Sequence, residues 1–199
     1  MFENTEKTDI SKLGEFGLIE HLTQKFEIQH ETTTIGLGDD AAAIDCADKT
    51  QLVSTDLFIE NIHFDIMYSP LMHVGYKCIT ASISDICAMN AKPAQVLVSI
   101  ALSSRYTLEA VEELYTGIQT ACNNYNIELL GGDTSSSVSG LVISVTAIGY
   151  AEKNTLVRRS GAKVGDLVCV SGDLGGAYMG LQLLEREKQV FLDQKDMQP

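Results

Sequence analysis

The chain has 199 residues, 45% of them hydrophobic and 21% charged, with a formal net charge of −13. That length supports one buried core, or one core and the start of another, and the composition excludes a disordered chain. The acidic excess excludes a general nucleic-acid binder, because counterion release requires a basic face.

The N-terminus, Met1 to Lys12, is polar and has no apolar signal core. No stretch approaches the ~18 apolar residues of a membrane span, so a cytoplasmic protein is expected. Glu15 to Phe26 reads as a first helix with Phe16, Ile19, Leu22 and Phe26 on one stripe. Ala41–Cys46 and Gln51–Thr55 read as short strands joined by a turn at Asp48-Lys49. Ser69-Pro70 marks a helix start, an N-cap followed by proline at the first helical position. That helix extends to about Met89, with Leu71, Val74, Cys78, Ile79, Ile83 and Ile86 inward, and stops before Lys92-Pro93.

Ala94–Leu102 follows as a buried strand, and Thr107–Tyr125 as an amphipathic helix carrying Leu108, Val111, Leu114, Ile118 and Cys122. Ile127–Leu130 and Leu141–Tyr150 are predicted strands around a serine-rich loop, Asp133–Gly140. From Ala151 to Gly165 the chain is polar and basic; a strand over Leu167–Ser171 and a helix over Gly175–Glu185 come next, and Arg186 to Pro199 shows no pattern. The order predicts an α/β fold of the α+β type, a mixed or antiparallel sheet flanked by helices. Residues 1–150 form one domain, and residues 151–199 a linker and the start of a second, truncated α/β domain. The five cysteines include no C-x-x-C pair and mostly lie in apolar runs, which favours buried, reduced thiols over a zinc site or disulfides.

Chemistry is concentrated in four acidic motifs: Gly38-Asp39-Asp40, Ser54-Thr55-Asp56, Ser84-Asp85 and Gly131-Gly132-Asp133. Each stands at the edge of an apolar stretch, where a carboxylate is costly without a partner. Carboxylates gathered together repel one another unless a divalent cation lies between them. Mg²⁺-type ions with phosphate as the remaining ligand are therefore expected.

Each motif also has a plain structural reading. Asp39 and Asp40 suit a turn, Ser54–Asp56 a strand end that caps the next turn, and Gly131-Gly132 a hairpin. Asp85 is harder to explain that way, because it falls almost above Cys78 on the buried stripe of its helix, with no Lys or Arg one turn away. His63 reads as a loop histidine, Tyr115 as helix-face packing and Arg158-Arg159 as a solvated pair, unless a phosphate lies beside them. Gly36 to Ala41 imitates a dinucleotide fingerprint, but too few residues follow to form the helix that would meet a pyrophosphate. Gly175 and Gly180 have P-loop spacing, but Leu181 stands where lysine is required.

Gly14-Glu15-Phe16, Gly36–Ala43, Ser54–Phe64, Leu71–Pro93, Leu130–Thr134, Arg159–Asp166 and Val170–Gly180, in that order, resemble the thiamine-monophosphate kinase family. Its superfamily also contains aminoimidazole-ribonucleotide synthetase, selenophosphate synthetase and a hydrogenase-maturation protein. His63-Phe64 and Arg159-Ser160-Gly161-Ala162 favour the kinase, and no Cys before Cys46 supplies a selenophosphate synthetase's reactive residue. The resemblance implies the superfamily's N-terminal domain fold and ATP-dependent phosphorylation of thiamine monophosphate by direct in-line transfer with several Mg²⁺ ions. It implies Asp40, Ser54, Thr55, Asp56, Asp85 and Asp133 as metal ligands, with Ser54 or Thr55 acting through a backbone oxygen. It implies Tyr115, Gly132, Asp133 and Arg159 on ATP, His63 on the thiamine phosphate, and no catalytic residue beyond the metal ligands. A homodimer formed through the N-terminal strands is expected, with no nucleic-acid or membrane partner. Family members continue through a full second domain, so the chain is expected to be a fragment with little turnover alone. Another synthetase of the superfamily and a non-catalytic metal-binding dimerisation domain are the alternative readings.

Overall fold

The computed structural model describes residues 14–24, 27–36 and 39–195. Phe26, Gly38 and the polar stretch before residue 13 lie outside the described residues.

Seven strands form one mixed sheet: β1 (Thr33–Ile35), β2 (Ala42–Cys46), β3 (Lys49–Ile59), β4 (Lys92–Leu102), β5 (Glu128–Gly131), β6 (Thr134–Ser136) and β7 (Leu141–Glu152). Their order is β1-β2-β3-β7-β4-β5, with β6 also pairing with β4. The pairs from β1 to β4 are antiparallel, whereas β5 and β6 run parallel to β4. The helices are α1 (Gly14–Thr23), α2 (Leu71–Ala88), α3 (Leu108–Tyr125) and α4 (Gly176–Lys195).

Alternation decides the faces. Leu52 and Phe58 on β3, Val96, Val98 and Ile100 on β4, and Ile143, Val145 and Ala147 on β7 are all buried in one core. Val74, Cys78, Ile79, Ile83 and Ile86 of α2, and Leu114, Ile118 and Cys122 of α3, belong to the same core. Two glycines let these helices approach to backbone contact. A Cβ on Gly117 would lie 1.9 Å from the carbonyl of Met72, and one on Gly75 would lie 2.1 Å from that of Leu114.

Several expectations need correction. β3 begins at Lys49 and runs to Ile59, and the turn is at Ala47-Asp48, with Ala47 at φ 46°. Pro70 is itself the cap of α2, its carbonyl accepting from His73 and Val74, and Ser69 provides no side-chain cap. β1 and β6 each have three residues, too few to show alternation. The stripe read for α1 stands uncovered, with Phe16 and Leu22 73% and 62% exposed, because a stripe names the apolar face but supplies nothing to cover it. Leu108, in the first turn of α3, is also exposed.

Leu167–Ser171 is not a strand; these residues lie along solvent, and without a neighbouring strand no ladder forms. Arg186 onward, patternless in sequence, continues α4 to Lys195. Of the five free cysteines only Cys78 and Cys122 are buried, whereas Cys46, Cys87 and Cys169 are exposed at element ends or in loops. Burial pushes the Cys78 thiol up to about 12; Lys77 opposes this, and the charge of Asp56 adds to it.

Two substitutions test this packing. Gly117→Ala forces the helices apart and should cost about 3 kcal/mol in urea unfolding. Ser82→Ala should be neutral or stabilise by up to about 1 kcal/mol, because the fully buried Ser82 hydroxyl has no hydrogen-bond partner.

Candidate functional site

Three of the four acidic motifs converge at the C-terminal half of α2. Ser54 and Asp56 share the helix-covered face of β3 with Leu52 and Phe58, opposite Ala147 and Val145 of β7. α2 lies over that face, and Ser54 Oγ is 3.0 Å from Asp85 Oδ2 and 3.1 Å from the carbonyl of Asp40, sharing one proton between them. Burial raises the Asp85 carboxyl above its ordinary value; the Ser54 hydroxyl opposes this, the charges of Asp56 and Asp40 push it further up, and Arg159 pulls it back.

Asp40 is half-buried and bound by Arg159, whose Nε donates to its Oδ1 at 2.6 Å. Asp39 Oδ1 accepts the N–H of Asp40 at 3.0 Å and that of Arg159 at 3.3 Å. Arg159 therefore closes the acidic cluster from a segment that has no regular secondary structure, residues 153–175.

Thr55 does not join through its side chain. A strand alternates its side chains, so Thr55 faces the other side of the sheet, where its Oγ1 lies 3.1 Å from Thr146 Oγ1 and 3.3 Å from the carbonyl of Val145. Only its backbone can reach the cluster.

Asp133 stands apart. Gly132 packs against Val98, which is paired with Val145, itself paired with Asp56. That is three strand steps from Asp56, about 14 Å. A Cβ on Gly132 would lie 1.7 Å from the carbonyl of Val98, so glycine is required at this crossing between β5 and β6. Asp133 itself is exposed, and its carbonyl accepts the N–H of Ile100 at 2.9 Å. Tyr115 is half-buried on α3 against the core. Among the described residues, no group of three His, Cys, Asp or Glu side chains is close enough to hold a metal ion alone. The oxygen-only donor set of Asp40, Ser54, Asp56 and Asp85 suits a hard cation whose shell is completed by a ligand's oxygens.

His63 lies four residues past the end of β3, and the last residue of that strand, Ile59, is about 10 Å from Asp56 along it. Its Nδ1 accepts the N–H of Ile59 at 3.0 Å, and its ring meets Phe58 edge-on at 6.0 Å. The neutral ring then carries its proton on Nε2, which points a donor rather than a base at a ligand. His63 lines a cleft of about 910 Å³ together with Asp65, Tyr68, Lys77, Tyr178 and Lys188. The acidic cluster lies outside that cleft, at the other end of the same strand segment.

Two anchors were not read from the sequence. The buried Glu60 is paired with Arg105 and accepts from Tyr106 Oη at 2.7 Å and from the N–H of Leu141 at 2.8 Å, which ties down the loop carrying His63. Asp65 is paired with Lys188 of α4 across the cleft. A buried acid beside a strand end is the signal for Glu60; none marks Lys188, because 123 residues separate the pair.

Residues 38–151 match the family described as AIR synthase related protein, N-terminal domain. A thiamine-monophosphate kinase from Bacillus subtilis is 39% identical over 176 residues, covering 88% of this chain and 54% of that protein. One from Aquifex aeolicus is 37% identical over 182 residues, covering 92% of this chain and 56% of the relative. Among solved structures, AaThiL complexed with AMPPCP and TMP superposes with a TM-score of 0.82 at 36% identity, covering 92% of this chain and 56% of that one. The chain thus spans about half the length of the curated relatives it matches. It belongs to the AIR synthase related family and carries that family's N-terminal domain, with the mixed sheet and flanking helices expected of it.

The Asp65–Lys188 pair predicts a pH dependence. The Lys188 hydrogen bond, with the N–H of Met67 and against burial, holds the Asp65 carboxyl below 3.8, and the same bond lifts Lys188 above 10.5. The Asp65 contribution is thus present above pH 3.8 and lost as pH falls through the native value; that of Lys188 is present below pH 10.5 and lost as pH rises through its own. Urea midpoints should fall more steeply below pH 4 for wild type than for Lys188→Met. Parallel profiles would show that the pair contributes nothing.

Proposed function

We propose, from this family membership, that the chain carries the ATP- and metal-binding part of an enzyme that phosphorylates thiamine monophosphate to thiamine diphosphate with ATP. The observation that supports this most is Asp85. A half-buried carboxylate is held beside two others, and the nearest cation, Arg159, is committed to Asp40. Such an arrangement is costly to the fold and is offset when a cation binds.

In this reading Asp40, Ser54, Asp56 and Asp85 would hold Mg²⁺, with Thr55 contributing only its backbone and Asp133 serving a further ion. Mg²⁺ bound there neutralises phosphate oxygens and orients them for in-line displacement. Arg159 exchanges its contact with Asp40 for one with ATP phosphate, and Gly132 gives a phosphate close access to backbone beside Asp133. Tyr115 packs against the nucleotide from α3. His63 donates from Nε2 to the phosphate of the acceptor. That phosphate is already anionic at neutral pH, so no side chain serves as a base and positioning carries the catalysis.

Residues 1–150 form the ATP-binding, metal-binding and dimerising domain in this reading, and residues 151–199 a linker and the start of a second. The reading includes a cytoplasmic homodimer, supported by Leu57 and Leu97, which are exposed on the outer face of the sheet. No helix among the described residues is long and apolar enough to cross a membrane.

Formation of thiamine diphosphate from ATP and thiamine monophosphate, in a chain extended to the length of its relatives, is the test. Transfer should require Mg²⁺, and Asp85→Asn should lower turnover about 100-fold or more. Unchanged turnover in that variant would leave only a structural role for the cluster. In the 199-residue chain without metal, Asp85→Asn should raise the melting temperature by about 2 °C, because the amide removes one charge from a repelling set. Added Mg²⁺ and ATP should then stabilise wild type more than the variant.

A further inference from the structure

Met89 caps the C-terminus of α2 and is fully buried. Its three polar atoms each hold a different segment of the site. Its N–H donates to the carbonyl of Asp85 at 3.3 Å, its Sδ accepts the N–H of Ala41 at 3.2 Å, and its carbonyl accepts the N–H of Val157 at 3.2 Å. Asp40 directly precedes Ala41, and Arg159 lies two residues beyond Val157. The helix that carries Asp85, the loop that carries Asp40 and the segment that carries Arg159 therefore meet at one residue, and the loop is held there by its side chain.

We propose that Met89 is a positioning residue for the cation site, with its thioether chosen as a hydrogen-bond acceptor and not merely as a filler of core volume. This rests on the metal-binding reading above. The N–H of Ala41 is buried and would be orphaned without an acceptor. Sulfur is a weak acceptor, yet it is the one apolar-compatible group that can both fill this space and accept. Leucine fills the same space but cannot accept, so Met89→Leu separates the two roles. Freed from that bond, the Asp40–Ala41 turn loses its register against Ser54 and Asp85, while the core remains filled.

The test uses the 199-residue chain and Mn²⁺ together with ATP as the probe, with Ile79→Val as a control for lost packing on the same buried face of α2. In wild type without metal, the Ala41 amide should be protected from hydrogen exchange; an unprotected amide there overturns the proposal with no variant needed. Met89→Leu should speed that exchange about 10-fold and weaken Mn²⁺ binding by about 3- to 10-fold, measured calorimetrically. Ile79→Val should lower stability but leave both readings at wild-type values. Wild-type Mn²⁺ affinity in Met89→Leu, or an equal loss in Ile79→Val, overturns the positioning role alone. Failure of wild type to bind Mn²⁺ in the presence of ATP overturns the metal reading and this proposal with it.

Discussion

Backbone contact between α2 and α3 at Gly75 and Gly117 fixes where α2 lies on the sheet. Helices with side chains at their crossing stand 8–10 Å apart in ordinary packing, and a Cβ at either glycine would overlap the facing carbonyl. The sheet side of α2 is as tight, since a Cβ on Gly149 of β7 would lie 2.3 Å from Ile86 Cγ2. Held on both sides, α2 cannot slide, and Asp85 is delivered to Ser54 rather than to solvent. The site is a consequence of this packing.

Electrostatics works against the fold at that same point. Burial, with the charges of Asp56 and Asp40, raises the cost of ionising Asp85, and one hydroxyl proton from Ser54 and the guanidinium of Arg159 oppose it. A core selected for stability alone would not keep three acids there, because an apolar replacement of similar volume is usually no worse. The cation site proposed above would account for them. Arg159 reaches the acids from an irregular segment, 119 residues beyond Asp40.

The remaining groups lie at a distance from that cluster. Asp56 and Gly132 are level with one another across β3, β7 and β4. His63 lies past the end of β3 and is held by Ile59 and by the Glu60 network.

Local chemistry was enough to read the α2 and α3 faces, the long antiparallel strands and the acidic motifs, because those signals are periodic or lie within a few residues. Asp85 could be singled out for the same reason, since helical geometry alone places it over Cys78. Other features depend on partners distant in the chain. The apolar stripe of α1 does not reveal whether anything covers it, and the apolar run Leu167–Ser171 does not reveal that no strand lies beside it. Thr55 and Asp56 are neighbours in sequence, yet only one faces α2, and the choice is made by pairing with β7. The bond of Met89 Sδ to Ala41 and the reach of Arg159 to Asp40 span 48 and 119 residues. Sequence determined which groups could bind a cation, because residue type and local period are local properties. Tertiary structure decided which of them meet, because register and helix crossing are set by contacts that no short stretch contains.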